Sequence, residues 1–345
     1  GSSFLNGIAF NSDGTKMFTS YLNSTDNDSI NFINEYDLST PFDISTHTYT
    51  GDNERCNLAN GYDSGVHQKP DNIGDMTFSS NGMHIFTLNR GLNNADNDVL
   101  YRYDLTKPFD VSTCTLAQQA DVETSGALDD WRSGAITNAN RHHMQGVAIS
   151  PDGTKVFISF NGTGGGAASD KDGIREYTLS TPFDITTLTH EDDAGILLPN
   201  SGSSENPDAL HLSADGKRIF VVYHSSSAVV EQYSLSIAYD TTNFTLDGAF
   251  DFNAAIPGKT INQARALAFS ALGLKMFVSN DRASEGIETI YEFDLSCPFN
   301  IISSASCQTY VSKDRTSMAE AQAELAKRTI NLSTNSALNR LKWIR

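Results

Sequence analysis

Five times along the chain, alternating apolar and polar positions run into a tight Asp/Asn-Gly turn and back out into a second apolar stretch. The segments are Gly7-IAFNSDGTKMF, Gly74-DMTFSSNGMHIF, Gly146-VAISPDGTKVF, Ala209-LHLSADGKRIF and Ala266-LAFSALGLKMF. A period of two on either side of such a turn is the pattern of a β-hairpin. A second motif follows each of them: Tyr36-DLSTPFDIST, Tyr103-DLTKPFDVST, Tyr177-TLSTPFDITT, Tyr233-SLSIAYDTTN and Phe293-DLSCPFNIIS. It reads as a third strand that ends in a Pro-aromatic-Asp turn and leads to a fourth.

Each unit is therefore four antiparallel strands of about 45 residues, the size of one blade of a propeller. One such sheet cannot bury both of its faces, whereas sheets packed radially around an axis can. The expected fold is all-β: a five-bladed β-propeller over residues 4–312, with blades about 4–51, 73–115, 144–190, 207–246 and 264–312. The turn glycines Gly14, Gly82, Gly153, Gly216 and Gly273 are 68, 71, 63 and 57 residues apart. The excess over one blade falls in long Gly-, Asn-, Asp- and Ser-rich connections between blades. Connections of that length in a compact domain are usually functional.

Residues 313–345 change character. Apolar residues at 318, 321, 325 and 332, then 338, 341 and 344, follow helical spacing, which predicts a C-terminal amphipathic helix. Seven of the 24 basic residues lie in this segment, against three of the 42 acidic ones. The whole chain carries a net charge of −18, which repels a phosphate backbone and excludes nucleic acid as the expected partner. No run of 18 apolar residues is present, so no transmembrane segment is expected within the chain.

Ser150-Pro151-Asp152-Gly153 and the strands ending Tyr-Asp-Leu resemble the repeats of lactonase-like and YVTN-type propellers. The longer Leu-Ser-Thr-Pro-Phe-Asp form is similar to repeats in surface or secreted proteins of marine bacteria and their phages. The tail from Met318 resembles the linker helix that joins passenger to barrel in bacterial autotransporters. That resemblance implies a surface passenger whose outer-membrane barrel has been removed; the alternative is a C-terminal helix that docks on the propeller or forms an interaction tail. A shared fold does not by itself license a function.

Ligands of propellers usually meet the residues just before the innermost strand. Aligning the repeats places Asn6, Gly74, Gln145, Asp208 and Arg265 there. Asp75 lies one step inside, and the connections supply His67, Asp71, Arg141, His142, His143, Glu205 and Asn262. This mixture of imidazole, carboxylate, amide and guanidinium suits a polar ligand. The pair His142-His143 invites a metal reading, but consecutive strand residues point to opposite faces. Three loops repeat an Asp-x-Asp pattern, Asp26 and Asp28, Asp96 and Asp98, Asp170 and Asp172. Their hard oxygens make calcium the expected cofactor, if there is one. Asp43, Asp110 and Asp184 recur after the turn aromatic and read as structural caps.

Cys56, Cys114, Cys297 and Cys307 allow three pairings. Cys297 and Cys307 flank the last turn of blade five, and Cys56 and Cys114 are placed for a clasp between blades one and two. Two disulfides imply an oxidising compartment, so the protein is expected to be secreted or at the cell surface; four buried free thiols are the alternative. The leading expectation is a non-catalytic propeller that binds a polysaccharide, a small polar ligand or a protein partner through one face. The alternative is a hydrolase or lactonase-like enzyme that uses carboxylates and histidines of the central mouth.

Overall fold

The structure is a computed structural model and describes residues 3–23, 31–64, 70, 73–89, 99–122, 142–162, 172–198, 206–224, 228–255, 263–282, 287–302, 307 and 309–313. Five antiparallel sheets of consecutive strands follow one another. Blade one contains β1 (Ser3–Phe10), β2 (Lys16–Asn23), β3 (Phe32–Leu38) and β4 (His47–Tyr49), with the short β5 (Cys56–Asn57) also paired to β3. Blade two contains β6 (Ile73–Phe78), β7 (His84–Asn89), β8 (Val99–Asp104) and β9 (Thr115–Asp121). Blade three contains β10 (His142–Ile149), β11 (Lys155–Gly162), β12 (Gly173–Leu179) and β13 (Leu188–Leu197). Blade four contains β14 (Asn206–Leu212), β15 (Arg218–His224), β16 (Val229–Ile237) and β17 (Asp240–Asp251), followed by the one-turn helix α1 (Phe252–Ala255). Blade five contains β18 (Ala264–Phe269), β19 (Lys275–Arg282), β20 (Ile287–Leu295) and β21 (Thr309–Lys313).

The first strands β1, β6, β10, β14 and β18 each lie beside the next, and β18 returns to β1. The ring is thus closed by packing between blades five and one, without exchange of a strand. Leu5, Ile8 and Ile44 of blade one bury against Ala266, Ala268 and Phe277 of blade five, and Ser279 Oγ donates to Leu5 O at 3.3 Å. The expected five blades of four strands are present. The helix expected over 313–345 lies outside the described residues, apart from Lys313, which ends β21.

One repeated device holds each Pro-aromatic turn against its own hairpin. Gly14, Gly82, Gly153, Gly216 and Gly273 have φ between +64° and +73°, and Phe42, Phe109, Phe183, Tyr239 and Phe299 also have positive φ, between 49° and 62°. A bulky residue in that region is strained. Here the N–H of each aromatic donates to the carbonyl of the hairpin glycine, as from Phe183 to Gly153 at 2.8 Å, and the ring covers that glycine. The following aspartate caps the turn: Asp43 and Asp184 accept the N–H groups of Ser45 and Thr186.

A second device links neighbouring blades. Glu176 Oε2 accepts the Thr241 N–H at 2.7 Å and its hydroxyl at 2.8 Å, Gln232 Oε1 accepts the Ile301 N–H at 3.0 Å, and Glu292 Oε2 accepts the Ile44 N–H at 3.3 Å. Lysines one strand inward, Lys16, Lys155 and Lys275, pair with Glu35, Glu176 and Glu292. In blade two the same position is Arg102, which donates to Phe183 O at 3.0 Å, while Gln118 accepts the Ile185 N–H at 3.1 Å. The blades are further joined by the Cys56–Cys114 disulfide, and blade five is stapled by Cys297–Cys307. Both expected pairings are formed, and the two bonds belong to an oxidising, extracytoplasmic setting.

Candidate functional site

Each innermost strand breaks register at the same level. The shifts fall between Leu5 and Gly7, Ile73 and Met76, Met144 and Val147, Pro207 and Ala209, and Ala264 and Leu267. A bulge inserts an extra residue and re-aims its side chain. The residues within these breaks include Asn6, Asp75, Gln145, Asp208 and Arg265, so the bulges gather a polar layer around the axis. Asn6, Asp75, Gln145 and Asp208 are all buried. Asn6 Nδ2 donates to Ile73 O of the next blade at 2.8 Å. Asn6 Oδ1 and Gln145 Oε1 are buried acceptors with no hydrogen-bond partner among the described residues.

The strands approach very closely just inside this layer. A Cβ added to Gly146 would lie 2.7 Å from Leu210 N, and one added to Gly7 would lie 3.0 Å from Met76 N. At the equivalent position blades four and five have Ala209 and Ala266, and blade two has Asp75. Asp75 Oδ1 accepts its neighbour's Met76 N–H at 2.9 Å. Burial drives its carboxyl well above the usual carboxylate range; the N–H groups of Met76, Val147 and Leu210 act in the opposite direction, and the Asp208 charge adds to the rise. One side chain from blade two therefore lies toward the backbone N–H groups of blades three and four.

Beside it stands a cluster from blades four and five. Arg265 Nη1 donates to Asp208 Oδ2 at 3.5 Å, and His224 Nδ1 lies 3.7 Å from the same oxygen. Arg265 Nη2 faces His224 Nε2 at 3.4 Å. Because a guanidinium only donates, Nε2 is the accepting nitrogen and the imidazole proton sits on Nδ1, toward Asp208. The side chain of Asp208 is 2% exposed, that of Arg265 11% and that of His224 20%, so the carboxylate is sealed while the imidazole remains accessible. Asn206 is paired in register with His224, and its Oδ1 accepts Asn161 Nδ2 at 2.7 Å.

Of the residues singled out in the sequence, Asp75, Gln145, Asp208 and Arg265 come together in this layer. His142 and His143 open β10, opposite Gly162 and Asn161. His67, Asp71, Arg141, Glu205 and Asn262 lie outside the described residues, as do Asp26, Asp28, Asp96, Asp98 and Asp170. Asp172 is buried at the head of β12, 2% exposed, and its carbonyl accepts the Leu198 N–H at 3.1 Å. Among the described residues no group of three or more His, Cys, Asp or Glu is arranged to hold a metal ion. Sequence reasoning missed His224. Its signal was weak but present: it ends a second strand, and antiparallel pairing puts that end beside the start of the first.

No family model matches the sequence, and no curated protein matches it. Among solved structures, the periplasmic gluconolactonase PpgL of Pseudomonas aeruginosa is 15% identical, with 90% of this chain and 71% of that one covered and a TM-score of 0.47. A protein of Bacteroides uniformis assigned to the 6-phosphogluconolactonases is 14% identical over 88% of this chain and 71% of its own, with a TM-score of 0.43. A nidogen/laminin complex is 10% identical over 90% and 84%, with a TM-score of 0.44. The leading expectation of a non-catalytic binder is corrected here: the gluconolactonase-type neighbours stand with the hydrolase alternative. At these identities the likeness concerns the fold, and the chemistry has to come from the side chains.

Proposed function

We propose that the chain is a lactonase-type hydrolase that opens small polyhydroxylated lactones at the polar end of its axis. The observation that carries this reading is the Asp208–His224–Arg265 cluster. When Arg265 turns from His224 to the lactone carbonyl, His224 Nε2 is freed to take a proton from water as the water oxygen attacks that carbonyl. Asp208, facing Nδ1–H, holds the ring in that tautomer and stabilises the imidazolium that forms. Arg265 turns a donor toward the carbonyl oxygen as it gains negative charge. The tetrahedral centre then collapses with cleavage of the ring C–O bond, and the imidazolium returns its proton to the leaving alkoxide. The product is the open hydroxy acid. The acceptors Asn6 Oδ1 and Gln145 Oε1, buried and without partners among the described residues, suit substrate hydroxyl donors.

The test is hydrolysis of gluconolactone followed by acid release in weakly buffered solution. Wild type is expected to exceed the spontaneous rate, and the variants Asp208→Asn, His224→Gln and Arg265→Met each to lose kcat/KM at least about 100-fold, with unfolding temperatures close to wild type. Wild-type turnover no faster than buffer, or variants as active as wild type, would defeat the reading.

A further inference from the structure

The axis also holds a chamber. Beyond Asp75, toward the hairpin turns, lies a cavity of about 270 Å³ lined by the same three positions of all five inner strands. Its middle layer explains the space. Counting five residues back from each hairpin glycine gives Ala9, Thr77, Ala148, His211 and Ala268. Four small side chains leave room that a Leu or Phe ring of residues would fill, and one large ring, His211, remains to line it. Phe10, Phe78 and Phe269 stand one position nearer the turns.

His211 makes no side-chain hydrogen bond among the described residues. Its ring lies 5.0 Å from that of Phe269 and 6.5 Å from that of Phe299. Burial lowers its pKa to about 4, so at neutral pH it offers one N–H donor and one nitrogen acceptor. A neutral imidazole with unused hydrogen-bonding capacity, set in a wall of aromatic rings, favours a flat apolar guest with one polar group. Phenylalanine rings stabilise such a guest through edge and face contacts.

We infer that this chamber is a second binding site, for a small aromatic molecule carrying one hydroxyl or amide-like group that reaches His211. It is separate from the polar end of the axis, because the Gly7 and Gly146 approaches and the Asp75 side chain lie between them. The inference does not depend on the lactonase reading.

The probe is 2-naphthol, followed by its fluorescence, with naphthalene as the guest that lacks the hydroxyl. One 2-naphthol per chain is expected. Ala9→Leu and Thr77→Leu, on different blades and both facing the cavity, are each expected to weaken it at least tenfold. His211→Phe is expected to weaken 2-naphthol about tenfold and to leave naphthalene unchanged, while Asp208→Asn at the other end alters neither. Thermal unfolding establishes that each variant is folded. Absence of saturable binding to wild type, or retention of wild-type affinity in the folded filling variants, would overturn the inference. Equal losses of both guests in His211→Phe would overturn the role of the imidazole.

Discussion

The ring of Phe183 covers Gly153 so closely that a Cβ added to the glycine would lie 2.6 Å from three of its carbon atoms. Gly153 has φ +71° and Phe183 φ +62°, so each conformation that is unfavourable alone is held by the other. Gly153→Ala is expected to destabilise the protein by about 2–4 kcal/mol, from left-handed backbone and from overpacking. Denaturant unfolding measures this, and a loss below about 1 kcal/mol would show that the ring moves aside freely.

Glu176 is expected to act both as an acceptor for the next blade and as the partner of Lys155. Gln232 already performs the same task in blade four with a neutral amide. Glu176→Gln keeps the acceptor for Thr241 but turns an amide donor toward Lys155 and should cost about 1–2 kcal/mol in thermal unfolding, whereas Glu176→Ala also leaves the buried Thr241 N–H unmet and should cost about 1–3 kcal/mol more. Equal effects of the two substitutions would contradict this role.

Asp75 predicts a pH dependence with a definite sign. Its folded pKa is raised above the unfolded value by burial, so the folded state binds the proton more tightly, and stability falls as pH rises from the ordinary carboxylate range through the folded pKa. Asp75→Asn keeps an acceptor for the Met76 N–H and removes the ionisation. The variant should be more stable than wild type at pH 7, with the gap closing toward pH 4. Unfolding temperatures across that range decide the matter, and a constant gap would exclude Asp75 as its source.

The disulfides are expected to contribute unequally. Cys56–Cys114 spans 58 residues and Cys297–Cys307 spans 10. Loop-closure entropy assigns about 4 kcal/mol to the first and about 3 kcal/mol to the second. Paired Cys→Ser variants, compared by denaturant unfolding, should follow that order. Thiol alkylation of the unreduced protein should label none of the four cysteines.

Much of the site was legible because the repeats could be counted. Aligning the hairpin glycines put Gln145, Asp208 and Arg265 at one level and Asp75 one step inside it, and strand pairing then made their meeting a matter of geometry. His224 was not legible in this way: it belongs to a second strand, and its relevance arises from its distance to Asp208, which no spacing expresses. Glu176 and Glu292 were visible as a repeat, but their partners include backbone groups of the following blade.

By itself, the sequence determined the blades and their number, since period-two alternation and turn chemistry are local and repeat along the chain. It also determined which residues stand at the head of each inner strand. Only the tertiary structure decided that bulges aim them together, that Asp75 divides the axis, and that small residues on four blades leave a chamber around His211. Those features depend on radial packing of five sheets, where contacts join residues more than 50 positions apart and a single Gly-to-Asp difference in one repeat changes the space shared by all.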